Sequence, residues 1–150
     1  MSKNNGQQVE SDSPFADADI ISTYTRQQAI EDGVLVDLTG AHNPETQRLV
    51  REAGFRLPVA MTATAFAAAV APLGDDDGQL PPGQSLTGRL WDVLMVCRAA
   101  MRKALDTDRC HFAVSVDRGG GQRETVALWA LCGPGDQAEP VVTIMLEGED

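Results

Sequence analysis

The clearest hydrophobic pattern in the chain predicts one long helix over residues 85–105. Apolar residues recur there at helical spacing: Leu86, Leu90, Val93, Leu94, Cys97, Met101 and Ala104. This spacing places one face of the helix on a hydrophobic core. The opposite side carries a second stripe, formed by Trp91, Met95, Arg98 and Arg102. Because Trp and Arg are enriched in protein interfaces, the stripe is a candidate partner-binding surface; a second packing layer is the alternative.

Three further segments of alternating polarity predict an antiparallel meander after this helix. They cover residues 110–117, 123–132 and 140–147, and three consecutive glycines, residues 119–121, link the first two. A short glycine link between alternating segments is typical of a hairpin. The carboxy-terminal half is therefore expected to be a three-stranded sheet packed on the long helix.

The hairpin turn also predicts the strand register. If Asp117 lies opposite Arg123, the core face pairs Val116 with Glu124, Val114 with Val126, Phe112 with Leu128 and Cys110 with Ala130. The other face then places His111 opposite Trp129. This face is either a recognition surface or a layer covered by the first half of the chain.

The first half of the chain is predicted to form a smaller αβαβα unit. Its helices are expected at residues 26–32, 43–54 and 63–70, and its extended segments at residues 34–39 and 55–62. Thr25, three residues before Gln28, is predicted to start the first helix. Asn43, directly before Pro44, is predicted to start the second. The predicted fold class is therefore α+β.

The domain organisation follows from two polar segments. Residues 1–16 are predicted to be a disordered tail, and residues 17–150 a single domain. Residues 71–85 are rich in Pro, Gly and Asp, so an exposed loop between the two halves is predicted there. The three consecutive acids of this loop, Asp75, Asp76 and Asp77, are a candidate part of the binding surface.

Composition and charge narrow the function classes. The 150 residues are 43% hydrophobic and 23% charged, as in an ordinary globular protein. A formal net charge of −10 opposes direct nucleic-acid binding. No apolar run reaches membrane-spanning length and no signal core is visible at the amino terminus, so a cytoplasmic location is expected. The acids form short clusters rather than the ordered track of a DNA mimic, and solubility is the simpler explanation.

The inventory of reactive side chains argues against catalysis. There are two histidines, His42 and His111, and three cysteines, Cys97, Cys110 and Cys132. Neighbours on a strand point to opposite faces, so Cys110 and His111 cannot form a catalytic pair. We therefore expect no enzyme activity, no cofactor and no metal site, and interpret the cysteines as reduced core thiols.

Several segments together resemble a known family. YTRQQAIEDGVLVD at residues 24–37, REAGFRLPV at 51–59, and CGPGD at 132–136 followed by EPVVTIM at 139–145 are similar to uncharacterised bacterial proteins carried by plasmids and integrative elements. The resemblance implies no catalytic residues. It implies a context, since small acidic proteins of mobile elements often counter host restriction or CRISPR defence, or serve conjugation and plasmid maintenance.

The sequence therefore predicts a non-enzymatic protein-binding domain of a mobile element, which inhibits a host nucleic-acid-handling complex as an anti-CRISPR or anti-restriction protein. The expected partner is a host protein or ribonucleoprotein, without nucleic-acid or membrane binding, and a homodimer remains open. The alternative is a small-molecule or nucleotide-binding accessory protein, in which the glycine turn and Arg118, Arg123 or Arg98 contact phosphate.

Overall fold

The computed structural model describes residues 24–71, 80, 84–104 and 107–149. The helices in these ranges are α1 (Arg26–Glu31), α2 (Pro44–Glu52), α3 (Ala63–Ala69) and α4 (Leu86–Lys103). The strands are β1 (Leu35–Asp37), β2 (Val59–Thr62), β3 (Arg109–Gly119), β4 (Gln122–Pro134) and β5 (Pro140–Leu146). The predicted α+β class is confirmed.

Two predicted segments lie outside this description. They are the tail, residues 1–16, and the acidic part of the loop with Asp75, Asp76 and Asp77. No helix in the described ranges combines the length and the apolar character that crossing a membrane requires.

The strands form one mixed sheet in the order β1-β2-β5-β4-β3. The three carboxy-terminal strands pair antiparallel in chain order, as predicted, but they are part of a larger mixed sheet rather than a three-stranded one. β2 pairs with β5 in parallel, with Val59 opposite Val142 and Met61 opposite Ile144. The first half of the chain therefore extends the sheet of the second half, and both share one core.

The β3–β4 hairpin has the predicted register. Asp117 lies opposite Arg123, and the four predicted core-face pairs all occur. The turn glycines Gly119, Gly120 and Gly121 have φ values of 94°, 61° and 80°. Because side chains are strained at positive φ, the glycines make this tight link accessible.

The long helix α4 also agrees closely with its predicted range. Ser85 caps it, since the Ser85 hydroxyl accepts a hydrogen bond from the backbone N–H of Gly88 at 3.0 Å. The predicted capping box of Thr25 and Gln28 begins α1. Asn43 differs, because its side chain donates to the Asp37 carbonyl oxygen at 2.8 Å instead of capping α2.

Helices α2, α3 and α4 cover one face of the sheet, and the core lies between these layers. Its largest fully buried side chains are Leu38, Met61, Leu90, Leu94, Leu128 and Ile144. Helix α1 lies on the opposite face, where the Arg26 guanidinium donates to the Thr143 hydroxyl at 3.1 Å. On that face Ala60 is buried over β2, whereas Ala113 and Ala127 are exposed over β3 and β4. The described residues therefore cover the second face of the sheet only in part.

Candidate binding surfaces

The part of the sheet that the described residues leave uncovered presents an aromatic and charged group of residues around Trp129. We call Arg109, His111, Trp129, Met145 and Glu147 the Trp129 cluster. β4 places Trp129 between its register partners, His111 on β3 and Met145 on β5. The predicted juxtaposition of His111 and Trp129 is confirmed.

The side chains of the Trp129 cluster contact one another in defined orientations. The Arg109 guanidinium carbon lies 4.2 Å from the indole centroid, which is a cation–π contact. The His111 ring meets the indole edge to face, with centroids 5.2 Å apart. His111 Nδ1 lies 3.2 Å from a Glu147 carboxylate oxygen, and the two side chains are 56% and 55% exposed. The cluster therefore combines both charge signs with an oriented aromatic ring, and part of it reaches solvent.

The indole nitrogen of Trp129 is a notable detail of this cluster. Trp129 Nε1 is buried and has no hydrogen-bond partner within the described part of the chain. A buried donor without an acceptor costs about 1–3 kcal/mol. Trp129 is half-buried, while Met145 beside it is buried. The cluster thus contains a polar group whose hydrogen bond is not made by the described residues.

The predicted stripe on α4 is divided by the structure. Trp91 packs against the core as a partly buried side chain, and Met95 is 43% exposed. Arg98 Nε donates to the Gly54 carbonyl oxygen at 3.2 Å, which ties α4 to the end of α2. Arg102 is exposed. The four residues do not form one continuous exposed surface, although Met95 and Arg102 remain accessible.

A polar cleft of about 420 Å³ lies where α1, α2 and the ends of β1, β2 and β5 meet. Its charged lining consists of Arg26, Arg51, Arg56, Asp37, Asp136 and Glu139. Apolar side chains also line it, including Val50, Phe55 and Val141. Small-molecule sites commonly have volumes of about 300–1,000 Å³ with an apolar wall and a few polar groups. The cleft therefore has the size and composition of a ligand site.

The Arg26 side chain in this cleft has both a shifted pKa and a buried nitrogen without a partner among the described residues. Burial lowers the pKa of its guanidinium, and the carboxylates of Asp37, Asp136 and Glu139 oppose that effect. One terminal nitrogen donates to Thr143, but Arg26 Nη2 is buried and has no hydrogen-bond partner among the described residues. Arg26 therefore keeps one buried hydrogen-bond donor that the described residues do not use.

Tight turns hold two of the cleft carboxylates. Asp37 Oδ1 accepts from the Thr39 backbone N–H at 3.2 Å, and a Cβ at Gly40 would overlap the same carboxylate. Glu139 Oε1 accepts from the Gln137 N–H at 2.9 Å. These carboxylates are therefore held in place before any ligand arrives.

Asp136 has a different role, because both of its oxygens accept backbone N–H groups at the start of α1. The distances are 2.7 Å to the nitrogen of Arg26 and 3.0 Å to that of Gln27. This contact joins the turn before β5 to α1 across 110 residues of sequence. It fixes the position of α1 and hence of the Arg26 side chain.

The cleft was not predicted from the sequence. Its lining nevertheless comes largely from the segments that carry the family resemblance, residues 24–37, 51–59, 132–136 and 139–145. A signal was therefore present, but spacing alone does not show that these segments meet. The three arginines proposed for phosphate do not converge: Arg118 binds Glu124, Arg123 binds Ser115 and Arg98 binds Gly54.

Cys97 and Cys110 lack the environment of a nucleophile. Burial raises the pKa of Cys97 to about 12 and also raises that of Cys110. Cys110 is buried while His111 is exposed, as expected for neighbours on a strand. Cys132 is only partly buried, so the interpretation of all three as core thiols holds for Cys97 and Cys110 alone.

Comparison with known proteins gives a family without an assigned activity. No curated protein and no solved structure matches the chain significantly. A model of the family of unknown function DUF6573 matches residues 12–150. The match includes all residues of the Trp129 cluster and of the cleft. The chain belongs to the family of unknown function DUF6573.

Proposed function

We propose that this chain is a non-enzymatic protein-binding domain whose recognition surface is the Trp129 cluster. The observation that carries the proposal is the indole of Trp129, which contacts Arg109 and His111 on the partly uncovered face of the sheet. Trp and Arg dominate binding energy at protein interfaces, because they bury much area and keep a polar handle. A partner carbonyl that reached Trp129 Nε1 would also supply its missing acceptor.

The finer proposal concerns the class of partner. A net charge of −10 favours encounter with a basic surface, such as the nucleic-acid channel of a defence complex. The resemblance to proteins of plasmids and integrative elements agrees with an inhibitor of CRISPR or restriction complexes. In this proposal, charge speeds association and the Trp129 cluster supplies specificity.

The test is direct binding between the purified chain and purified host CRISPR and restriction complexes. Wild-type protein should bind one complex, and Arg109→Ala and Trp129→Ala should each weaken binding at least tenfold, as expected for hot-spot residues. Arg48→Ala is the matched control, because Arg48 is exposed on α2 and lies outside every candidate binding surface. If no complex binds and phage or plasmid protection is unchanged by expression of the chain, the anti-defence proposal is wrong.

The cleft supports a second candidate, the binding of a small polar molecule. The observation in its favour is Arg26 Nη2, a buried donor without a partner in a cleft of about 420 Å³. The ligand class is a small molecule with a carboxylate or phosphate that reaches Arg26. Its hydroxyl or amino groups would face the held carboxylates of Asp37 and Glu139.

A thermal-shift panel of nucleotides, amino acids and sugar phosphates tests this candidate. A specific ligand at a hundredfold its dissociation constant should stabilise the protein by about 2.7 kcal/mol. Arg26→Met should abolish the shift, whereas Arg48→Met, which removes an exposed arginine paired with Glu52, should not. A panel without any Arg26-dependent shift would rule out a ligand of these classes.

A further inference from the structure

β3 is a long edge strand, and no strand in the described part of the chain pairs with its outer side. It spans Arg109–Gly119, 11 residues, and ends the sheet order. A typical strand has about five or six residues, and proteins usually protect long edges with Pro, Lys or a covering segment. Residues 110–117 of this edge contain neither Pro nor Lys.

The direction of the free hydrogen-bonding groups follows from the register. The Cys132 N–H donates to the Asp108 carbonyl, so alternate residues of β3 bond to β4. The Ala127 carbonyl instead accepts from Glu147 on the β5 side, and Ala127 lies opposite Ala113. Ala113 therefore directs its N–H and C=O away from the sheet, as do His111 and Ser115.

Both ends of this edge are closed by side chains. The Thr107 hydroxyl accepts from the Arg109 N–H at 3.2 Å and donates to the Arg109 carbonyl at 3.1 Å. At the other end, the Arg89 guanidinium donates to the Asp117 carbonyl. The open window is therefore centred on Ala113.

The side chains along this window are self-complementary about Ala113. Arg109 lies four residues before Ala113, and Asp117 four residues after it. In an antiparallel pair of two β3 strands with Ala113 on the twofold axis, Arg109 lies opposite Asp117 of the second copy, and His111 opposite Ser115. Opposite charges that face each other across strands stabilise a pair. The same geometry forms about six backbone hydrogen bonds.

Helix α4 supplies apolar area next to the same edge. A groove of about 470 Å³ runs between β3 and α4, lined by Val96, Ala99 and Ala100 together with Arg109 and His111. Val96 is 38% exposed and is one of four large exposed apolar residues in the described ranges. A strand added to β3 would cover this groove, and the dimer interface would then extend beyond the strand edge.

From these observations we propose that the chain forms a homodimer by antiparallel pairing of two β3 edges, with Ala113 on the twofold axis. The dimer has one continuous sheet of ten strands, twice the five of each copy. The two Trp129 clusters lie on the same face of that sheet. The proposal does not depend on the protein-binding function, which a monomer could also perform.

Sedimentation equilibrium of the full chain, with far-UV circular dichroism to verify folding, tests the proposal. The expected result is a monomer–dimer equilibrium with twice the monomer mass at high concentration. Arg109→Asp and Asp117→Arg should each weaken dimerisation about tenfold or more, because each places two like-charged pairs in the interface. The double variant should restore it, since the charges are opposite again.

Two more variants complete the test. Arg102→Asp makes the same charge change as Arg109→Asp away from the edge and should leave the dimer intact. Ala113→Pro removes an N–H that does not bond to β4 and should give a folded monomer. A chain that stays monomeric up to about 1 mM, about −4 kcal/mol of association, overturns the proposal. The proposal is also overturned if the folded Ala113→Pro variant, or the single charge variants, dimerise as strongly as wild type.

Discussion

Replacement of Arg89 by Ala should be among the most destabilising single changes in the chain. Arg89 is a buried polar residue, 7% exposed, at the start of α4. Its Nη1 donates to the Val70 carbonyl oxygen at 3.0 Å, and its Nη2 donates to the Asp117 carbonyl oxygen. One guanidinium therefore connects the end of α3, the start of α4 and the end of β3.

The expected cost follows from these contacts. A hydrogen bond from a charged donor contributes about 1.5–3 kcal/mol to stability. The protein loses the whole of this contribution when the acceptor stays buried and has no other partner. The Val70 bond is buried, whereas water can partly replace the bond to Asp117, which is partly buried. With the packing of the removed stem, the loss is about 3–5 kcal/mol. That is a large part of the roughly 5–15 kcal/mol by which a domain is stable.

The assay is urea-induced unfolding monitored by tryptophan fluorescence. The free energies of unfolding of wild type and variants are compared with one shared m-value, the slope of that free energy against urea concentration. Arg89→Met separates the two causes, because it keeps the apolar stem and removes both hydrogen bonds. It should still lose about 2–4 kcal/mol. The control Arg102→Ala should change the free energy of unfolding by less than about 0.5 kcal/mol. If Arg89→Ala costs less than about 1 kcal/mol, the guanidinium does not hold these elements together.

Three further predictions concern titration, reactivity and turn geometry. Partial burial raises the pKa of Glu149, but hydrogen bonds from Thr64, Thr62 and the Leu146 N–H outweigh it and lower the pKa below 4.5. The stability that this carboxylate contributes is therefore present above its unfolded pKa and is lost as the pH falls through its folded pKa. In chemical denaturation, the difference in the free energy of unfolding between wild type and Glu149→Gln should therefore shrink on acidification. In the folded protein Cys97 should resist alkylation at pH 8, since burial raises its pKa to about 12, and mass spectrometry should find label on it only after denaturant is added. Gly40→Ala should lower the free energy of unfolding by about 1 kcal/mol, because the new Cβ displaces the Asp37 carboxylate from the Thr39 N–H; unchanged urea unfolding would show that this turn adapts freely.

Local signals explain why so much of the fold was predictable. The three turn glycines and the alternation on both sides fix the β3–β4 register, because a shift of one residue would expose Val114 and Val126. The range of α4 follows from its apolar stripe and from Ser85 before it. Each of these features is encoded within about twenty residues of sequence.

Non-local contacts explain what the sequence did not reveal. The parallel pairing of β2 with β5 joins residues more than 80 positions apart, and neither strand contains a signal for its partner. Glu149 likewise has no local signal that would set it apart from the other acidic residues. It nevertheless binds Thr62 at 2.7 Å and the Leu146 N–H at 2.7 Å. The cleft depends on the same pairing, because its carboxylates come from both ends of the sequence.

Several of the basic side chains bond to the protein's own backbone, whereas most of the acidic ones in the described ranges form no ion pair there. The guanidinium groups of Arg89, Arg98 and Arg118 each donate to backbone carbonyl oxygens of the protein itself. Only three ion pairs occur in the described part of the chain, and all three involve exposed or half-exposed side chains. Several cations are thus held by internal contacts, while ten of the 13 acidic residues in the described ranges form no ion pair there.

A surface of this kind acts mainly on the rate of encounter with a partner. Unpaired carboxylates attract a basic surface over about 10 Å at 0.1 M salt, and less at higher ionic strength. In the proposed complex, the Trp129 cluster acts only after contact, because aromatic and hydrogen-bonding groups work at short range. Added salt should therefore lower the association rate with a basic partner more than it raises the dissociation rate, while Trp129→Ala should mainly raise the dissociation rate. An association rate that does not change with salt would mean that charge serves solubility alone, and specificity would then rest on the cluster.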